Sequence, residues 1–114
     1  MKLNVSGAFH SPFMNEPSAK FSEYLKHIKF KNPSFPVISN YEPSLCSDLN
    51  ELKIRFENQM CNGVRWRETM DLMAKHSDLH IVEIGPSNVL SGLAKRHLKD
   101  VKISQVSSSD QLEY

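Results

Sequence analysis

Of the five histidines in this 114-residue chain, His10 has the surroundings best suited to chemistry. It stands in the loop Gly7-Ala8-Phe9-His10-Ser11-Pro12, just after a short apolar stretch at Leu3–Val5. Loops at strand ends are where α/β proteins place functional groups. An imidazole titrating near neutrality can act there as a general base. On the residues alone two readings stand: a catalytic base, or a loop histidine that is merely solvated. Metal chemistry is not expected, because no histidine pairs with Cys, Asp or Glu at a recognisable ligand spacing. Cys46 and Cys61 are the only cysteines. They read as reduced thiols, since a disulfide framework or a zinc site needs more ligands at closer, regular spacing.

Other residues carry weaker signals. Gly85-Pro86-Ser87 leads into a helical pattern, and helix N-termini bind anions. A tight turn with Ser87 as N-cap is the simpler reading and the one favoured. Lys95, Arg96, His97 and Lys99 gather near the end of that helical pattern, where cations complement the helix dipole. They read as a solvated helix end, with docking of an acidic partner as the alternative. Trp66, Met70 and Met73 recur at helical spacing and read as core residues.

Short strands and amphipathic helices must position these groups. Leu3–Val5 reads as a strand. A helix follows Pro17, with Phe21, Leu25 and Ile28 on one face, and Pro33 and Pro36 end that element. Val37-Ile38-Ser39 reads as a short strand closed by the polar turn Asn40–Ser44. Ser47 is the expected N-cap of a helix carrying Leu49, Leu52, Phe56 and Met60, broken at Asn62-Gly63. A helix from Trp66 ends near His76, and Leu79–Ile84 reads as a buried strand. After Gly85-Pro86-Ser87 comes a helix bearing Val89, Leu90, Leu93 and Ala94, then an alternating strand at Val101–Val106 and a frayed tail over residues 107–114. Strands alternating with helices predict an α/β fold with parallel strands. The segment from Leu79 to Val106 is the clearest βαβ unit.

Several of these stretches together resemble the malonyl-CoA:acyl carrier protein transacylase family. Val5-Ser6-Gly7-Ala8-Phe9-His10-Ser11-Pro12-Phe13-Met14 is similar to its histidine motif. Pro36–Asn40, Gln59–Trp66 and Glu83–Leu90 follow in the family's order and spacing, so the resemblance runs from about residue 3 to 106. It implies a serine nucleophile that holds malonyl as an ester and passes it from coenzyme A to the phosphopantetheine thiol of acyl carrier protein. His10 would be the base, oriented by a backbone carbonyl near Gln59, so that the position of Gln59 matters more than its side chain. Phe9 would border the acyl pocket and exclude a methylmalonyl branch, and it can equally serve as packing under the loop. No cofactor is implied. Ser87 and Gly63 depart from the family, which usually has glycine and often proline at these positions.

The implied nucleophile elbow, Gly-x-Ser-x-Gly, does not occur in the chain. Residues 1–106 are therefore expected to be the C-terminal portion of the large, α/β-hydrolase-like acyltransferase subdomain, with 107–114 as a tail. The partners expected are malonyl-CoA, acyl carrier protein and an N-terminal portion of the same enzyme, without which the chain would be inactive. The alternative is a non-catalytic fragment or a carrier-binding remnant. The short stretch after Val106 favours a free-standing enzyme, cytoplasmic in a bacterium or in an organelle matrix in a eukaryote. The net charge of +1 gives no pull toward nucleic acid or membrane surfaces. No apolar run reaches the roughly 20 residues of a membrane span. Apolar residues at 39% and charged residues at 24% suit a globular protein.

Overall fold

Residues 7–111 are described by a computed structural model, and they form two compact units divided between Thr69 and Met70. The expected strand at Leu3–Val5 lies outside the described residues.

In the first unit the histidine loop runs into a single 3-10 turn, Pro12–Met14, and then into helix α1, Asn15–Lys26. The helix starts before Pro17, not after it. Pro17 is tolerated because the first-turn N–H groups of a helix lack intrahelical partners in any case. Leu25 is buried on its inner face, and α1 ends at Lys26, before Ile28 and the two prolines. Helix α2, Leu49–Asn58, begins one residue later than expected. Its N-cap is Asp48, whose Oδ1 accepts the Glu51 N–H at 2.8 Å; Ser47 plays no such part. Asp and Ser are equally good caps, so sequence preference could not separate the neighbours. The two helices meet where the buried Ser18 hydroxyl donates to the Glu57 carbonyl at 3.0 Å. Phe30 stacks on Phe56 with ring centroids 6.1 Å apart.

The strand expected at Val37–Ser39 is reduced to one antiparallel bridge between Val37 and Cys46. The chain turns back directly after the bridge, the Ser39 hydroxyl donating to the Glu42 carbonyl at 3.1 Å and accepting the Glu42 N–H at 3.0 Å. Arg55 also holds this turn. This guanidinium is 4% exposed, donates to the Glu42 and Ser44 carbonyls at 3.0 and 2.7 Å, and pairs with Glu51. Helix α3, Trp66–Met73, contains the buried Met70; it ends three residues before His76, near which the sequence pattern predicts its end, and turns follow.

The second unit is the βαβ segment. Strands β1, His80–Ile84, and β2, Lys102–Val106, pair in parallel from His80–Lys102 to Ile84–Val106, and α4, Val89–His97, connects them. A parallel pair requires such a crossover, so the chain has an α/β fold. The expectation that β1 is buried is not met. Val82 is 44% and Ile84 80% exposed, because β2 is the only strand paired with β1 among the described residues. The buried member of the strand is Glu83. Ala94 and Leu98 are buried from α4 and its C-terminal cap. The tail is not uniformly frayed, since Ser109–Gln111 forms a 3-10 turn.

Candidate active site

The His10 loop is built by local sequence and then pinned by distant main chain. His10 has φ 61°, in the left-handed region that few non-glycine residues adopt. Its backbone N–H donates to the Met60 carbonyl at 2.9 Å, and the Ser11 hydroxyl donates to the Ala8 carbonyl at 2.6 Å. A Cβ at Gly7 would lie 3.1 Å from the Phe9 ring, which sits close over the loop backbone. A strained backbone held by several bonds at a reactive side chain is the pattern that functional sites show.

His10 Nδ1 lies 2.9 Å from the Gln59 carbonyl oxygen and 3.1 Å from that of Asn62. A carbonyl can only accept, so Nδ1 carries the proton. In the neutral ring the lone pair is therefore on Nε2. Both acceptors belong to the turn that leaves α2, where the last carbonyls of a helix have no intrahelical donor. Gln59 is the C-cap of α2, its N–H donating to the Arg55 carbonyl at 3.1 Å. It meets His10 through its main chain, and its side chain makes no bond to the ring.

Phe9 precedes the histidine and is 60% exposed, so among the described residues it is not packed beneath the loop. Three of the predicted residues thus fall into one small region: His10 and Gln59 in direct contact, Phe9 adjacent in the chain. Asn62 was not singled out. The signal available was an asparagine four residues after Asn58, at a helix end where an amide can reach back to a free carbonyl.

The Gly85–Ser87 turn is not N-capped by Ser87. Asn88 stands at the cap position of α4 with no side-chain bond, and the free amides are taken by Glu83 from the end of β1. Its carboxylate accepts from Ser91 N at 2.8 Å and from Leu90 N at 3.3 Å. The Ser91 hydroxyl against it, those backbone N–H groups and the Ser87 hydroxyl hold the Glu83 carboxyl below the usual carboxylate range, against the cost of burial. A carboxylate already fills the anion position, so the turn is structural. Gly85 has φ 149°, which explains the glycine. At the other end of α4, His97 Nε2 lies 2.7 Å from Asp71 Oδ1. Among the described residues no group of three or more His, Cys, Asp or Glu side chains could hold a metal ion, and both cysteines are free thiols. Among the described residues no helix is long and apolar enough to cross a membrane.

A histidine whose Nδ1 is held by main-chain carbonyls and whose Nε2 is left free has the arrangement that activation of a hydroxyl or thiol requires. No protein-family profile matches the chain. Individual proteins do. It is 40% identical over 110 residues to the malonyl CoA-acyl carrier protein transacylase of Synechocystis, covering 96% of this chain and 38% of that protein. The crystal structure of the Synechocystis malonyl-CoA:ACP transacylase superposes with a TM-score of 0.85 at 40% identity, over 95% of this chain and 37% of that one. A type II polyketide synthase acyl carrier protein in complex with its malonyl-transacylase superposes with a TM-score of 0.84 at 30% identity, over 95% and 35%. The chain belongs to the malonyl-CoA:acyl carrier protein transacylase family and corresponds to its C-terminal portion. It spans less than two-fifths of the length of the relatives it matches.

Proposed function

We propose that this chain supplies the general base of a malonyl transfer from coenzyme A to the thiol of acyl carrier protein, with a serine nucleophile carried outside these 114 residues. The observation that supports this is the pair of carbonyls at His10 Nδ1, which leaves Nε2 free to take a proton. In the first half-reaction Nε2 removes the serine hydroxyl proton as its oxygen attacks the malonyl thioester carbon. The C–S bond then breaks, and the coenzyme A sulfur leaves with that proton. In the second half-reaction the carrier thiol gives its proton to Nε2, and its sulfur attacks the serine ester. The serine oxygen takes the proton back and malonyl ends on the carrier. Phe9 borders the acyl group. Residues 1–106 act as the C-terminal portion of the large subdomain and 107–114 as a tail, in the bacterial cytoplasm or an organelle matrix. The likeness to a carrier protein–transacylase complex supports the choice of acceptor.

A second reading, a non-catalytic fragment or carrier-binding remnant, is favoured by one observation: no Gly-x-Ser-x-Gly element lies in the chain. Radiolabelled malonyl-CoA separates the two. These 114 residues alone should take up no covalent label, and the chain complemented with a serine-bearing N-terminal portion should take up one malonyl group per active site. Label on the isolated chain would contradict the proposal. Failure of every complemented form to label would favour the remnant.

A further inference from the structure

We infer that Asn62 is a positioning residue for His10, acting through its side-chain amide. This rests on the reading of His10 as the base. Helix α2 ends at Asn58, and the turn after it presents three carbonyls to the histidine: Gln59 and Asn62 to Nδ1, and Met60 to the backbone N–H. The turn is not held by regular helical bonds beyond the Gln59 N–H. Its closure depends on the Asn58 carbonyl, which accepts from Asn62 Nδ2 at 2.7 Å and from Cys61 N at a longer 3.3 Å. Asn62 therefore clips its own end of the turn back onto the helix while its main-chain oxygen faces the imidazole. A further tie, from the buried Ser18 hydroxyl to the Glu57 carbonyl, fixes the helix end just before the turn. Gly63 follows directly with nothing within 4 Å of a would-be Cβ, so packing there does not hold the turn closed. Asn62 itself is exposed, and no burial explains its amide bond.

Removing the amide donor leaves the turn on the weaker Cys61 bond and lets both of its carbonyls that face Nδ1, from Gln59 and Asn62, shift away. A misplacement of this size at a catalytic group costs roughly 10²-fold or less in rate. The test uses the full-length natural polypeptide with Asn62→Asp, which keeps the shape but cannot donate, and Asn62→Ser, which keeps a hydroxyl donor and the turn preference. Two quantities are read: the ¹⁵N chemical shifts of His10, which report the tautomer, and kcat and KM for malonyl transfer. Asn62→Asp should give mixed His10 tautomers and a kcat lowered about ten- to hundredfold with KM for malonyl-CoA unchanged. Asn62→Ser should recover part of both. An unchanged His10 tautomer in Asn62→Asp would overturn the inference, whatever happens to melting temperature. If Asn62→Asp does not fold, the tautomer in Asn62→Ala decides in the same way. A shifted tautomer in a protein that transfers no malonyl group would uphold the positioning role and reject the proposed reaction.

Discussion

Phe9 stands directly before His10, with its ring over Gly7 and 60% of the residue exposed. As a packing residue it would lose roughly 3–5 kcal/mol on truncation in a core. At its observed exposure the change should be within about 0.5 kcal/mol, the usual range for surface substitutions. Its proposed role is steric, since a ring beside the acyl group occupies the space that a methyl branch needs. In the complete enzyme, Phe9→Ser should therefore raise the methylmalonyl-to-malonyl ratio of kcat/KM, and in the 114-residue chain it should leave the melting temperature nearly unchanged. A competition assay with both acyl-CoA substrates, beside a thermal melt, checks this. An unchanged ratio would remove Phe9 from specificity. The bond between His10 and Gln59 joins residues 49 apart in sequence, so no local pattern could reveal it. Only the family resemblance pointed to it. The second carbonyl, from Asn62, was not expected at all.

At the scale of elements, two charged side chains hold turns that apolar patterning left unexplained. Glu83 caps α4 from the preceding strand, and its carboxyl lies below the ordinary range because Ser91, Leu90 and Ser87 donate to it. A depressed carboxyl contributes stability above the unfolded value of about 4.3, and that contribution is lost as pH falls through the folded value. Glu83→Gln should therefore melt lower than the parent at pH 7. The gap should narrow progressively as pH falls below the unfolded value and through the depressed folded one, in thermal melts of the two proteins run side by side. A constant gap across that range would mean that the charge plays no part. Arg55 holds the turn at Glu42–Ser44 through two carbonyls. Arg55→Met should destabilise by about 1–3 kcal/mol, the cost of leaving such acceptors unsatisfied, measured by urea unfolding. Elements defined by short-range periodicity were legible, and the βαβ segment is the clearest case. Caps were not, because Ser47 and Asp48 are equivalent by preference and the Glu83 cap reaches its amides across a turn.

At the scale of the whole molecule, the α/β class follows from the alternation of strand and helix, but the degree of burial does not. The stretch Leu79–Ile84 reads as a buried strand. The described residues supply one neighbouring strand, leaving Val82 and Ile84 exposed. Burial depends on the rest of the fold, and the chain spans 38% of the Synechocystis relative. The reaction is likewise proposed for an assembly in which the serine lies elsewhere, and its central claim concerns the atom that orients His10. The direct measurement is single-turnover malonyl transfer in the complete enzyme, comparing His10→Ala with Gln59→Ala. His10→Ala should lower the rate about 10²–10⁴-fold, the range for loss of a positioned general base. Gln59→Ala keeps the carbonyl 2.9 Å from Nδ1 and should stay close to the parent. Equal losses in the two variants would contradict a histidine base oriented by main chain.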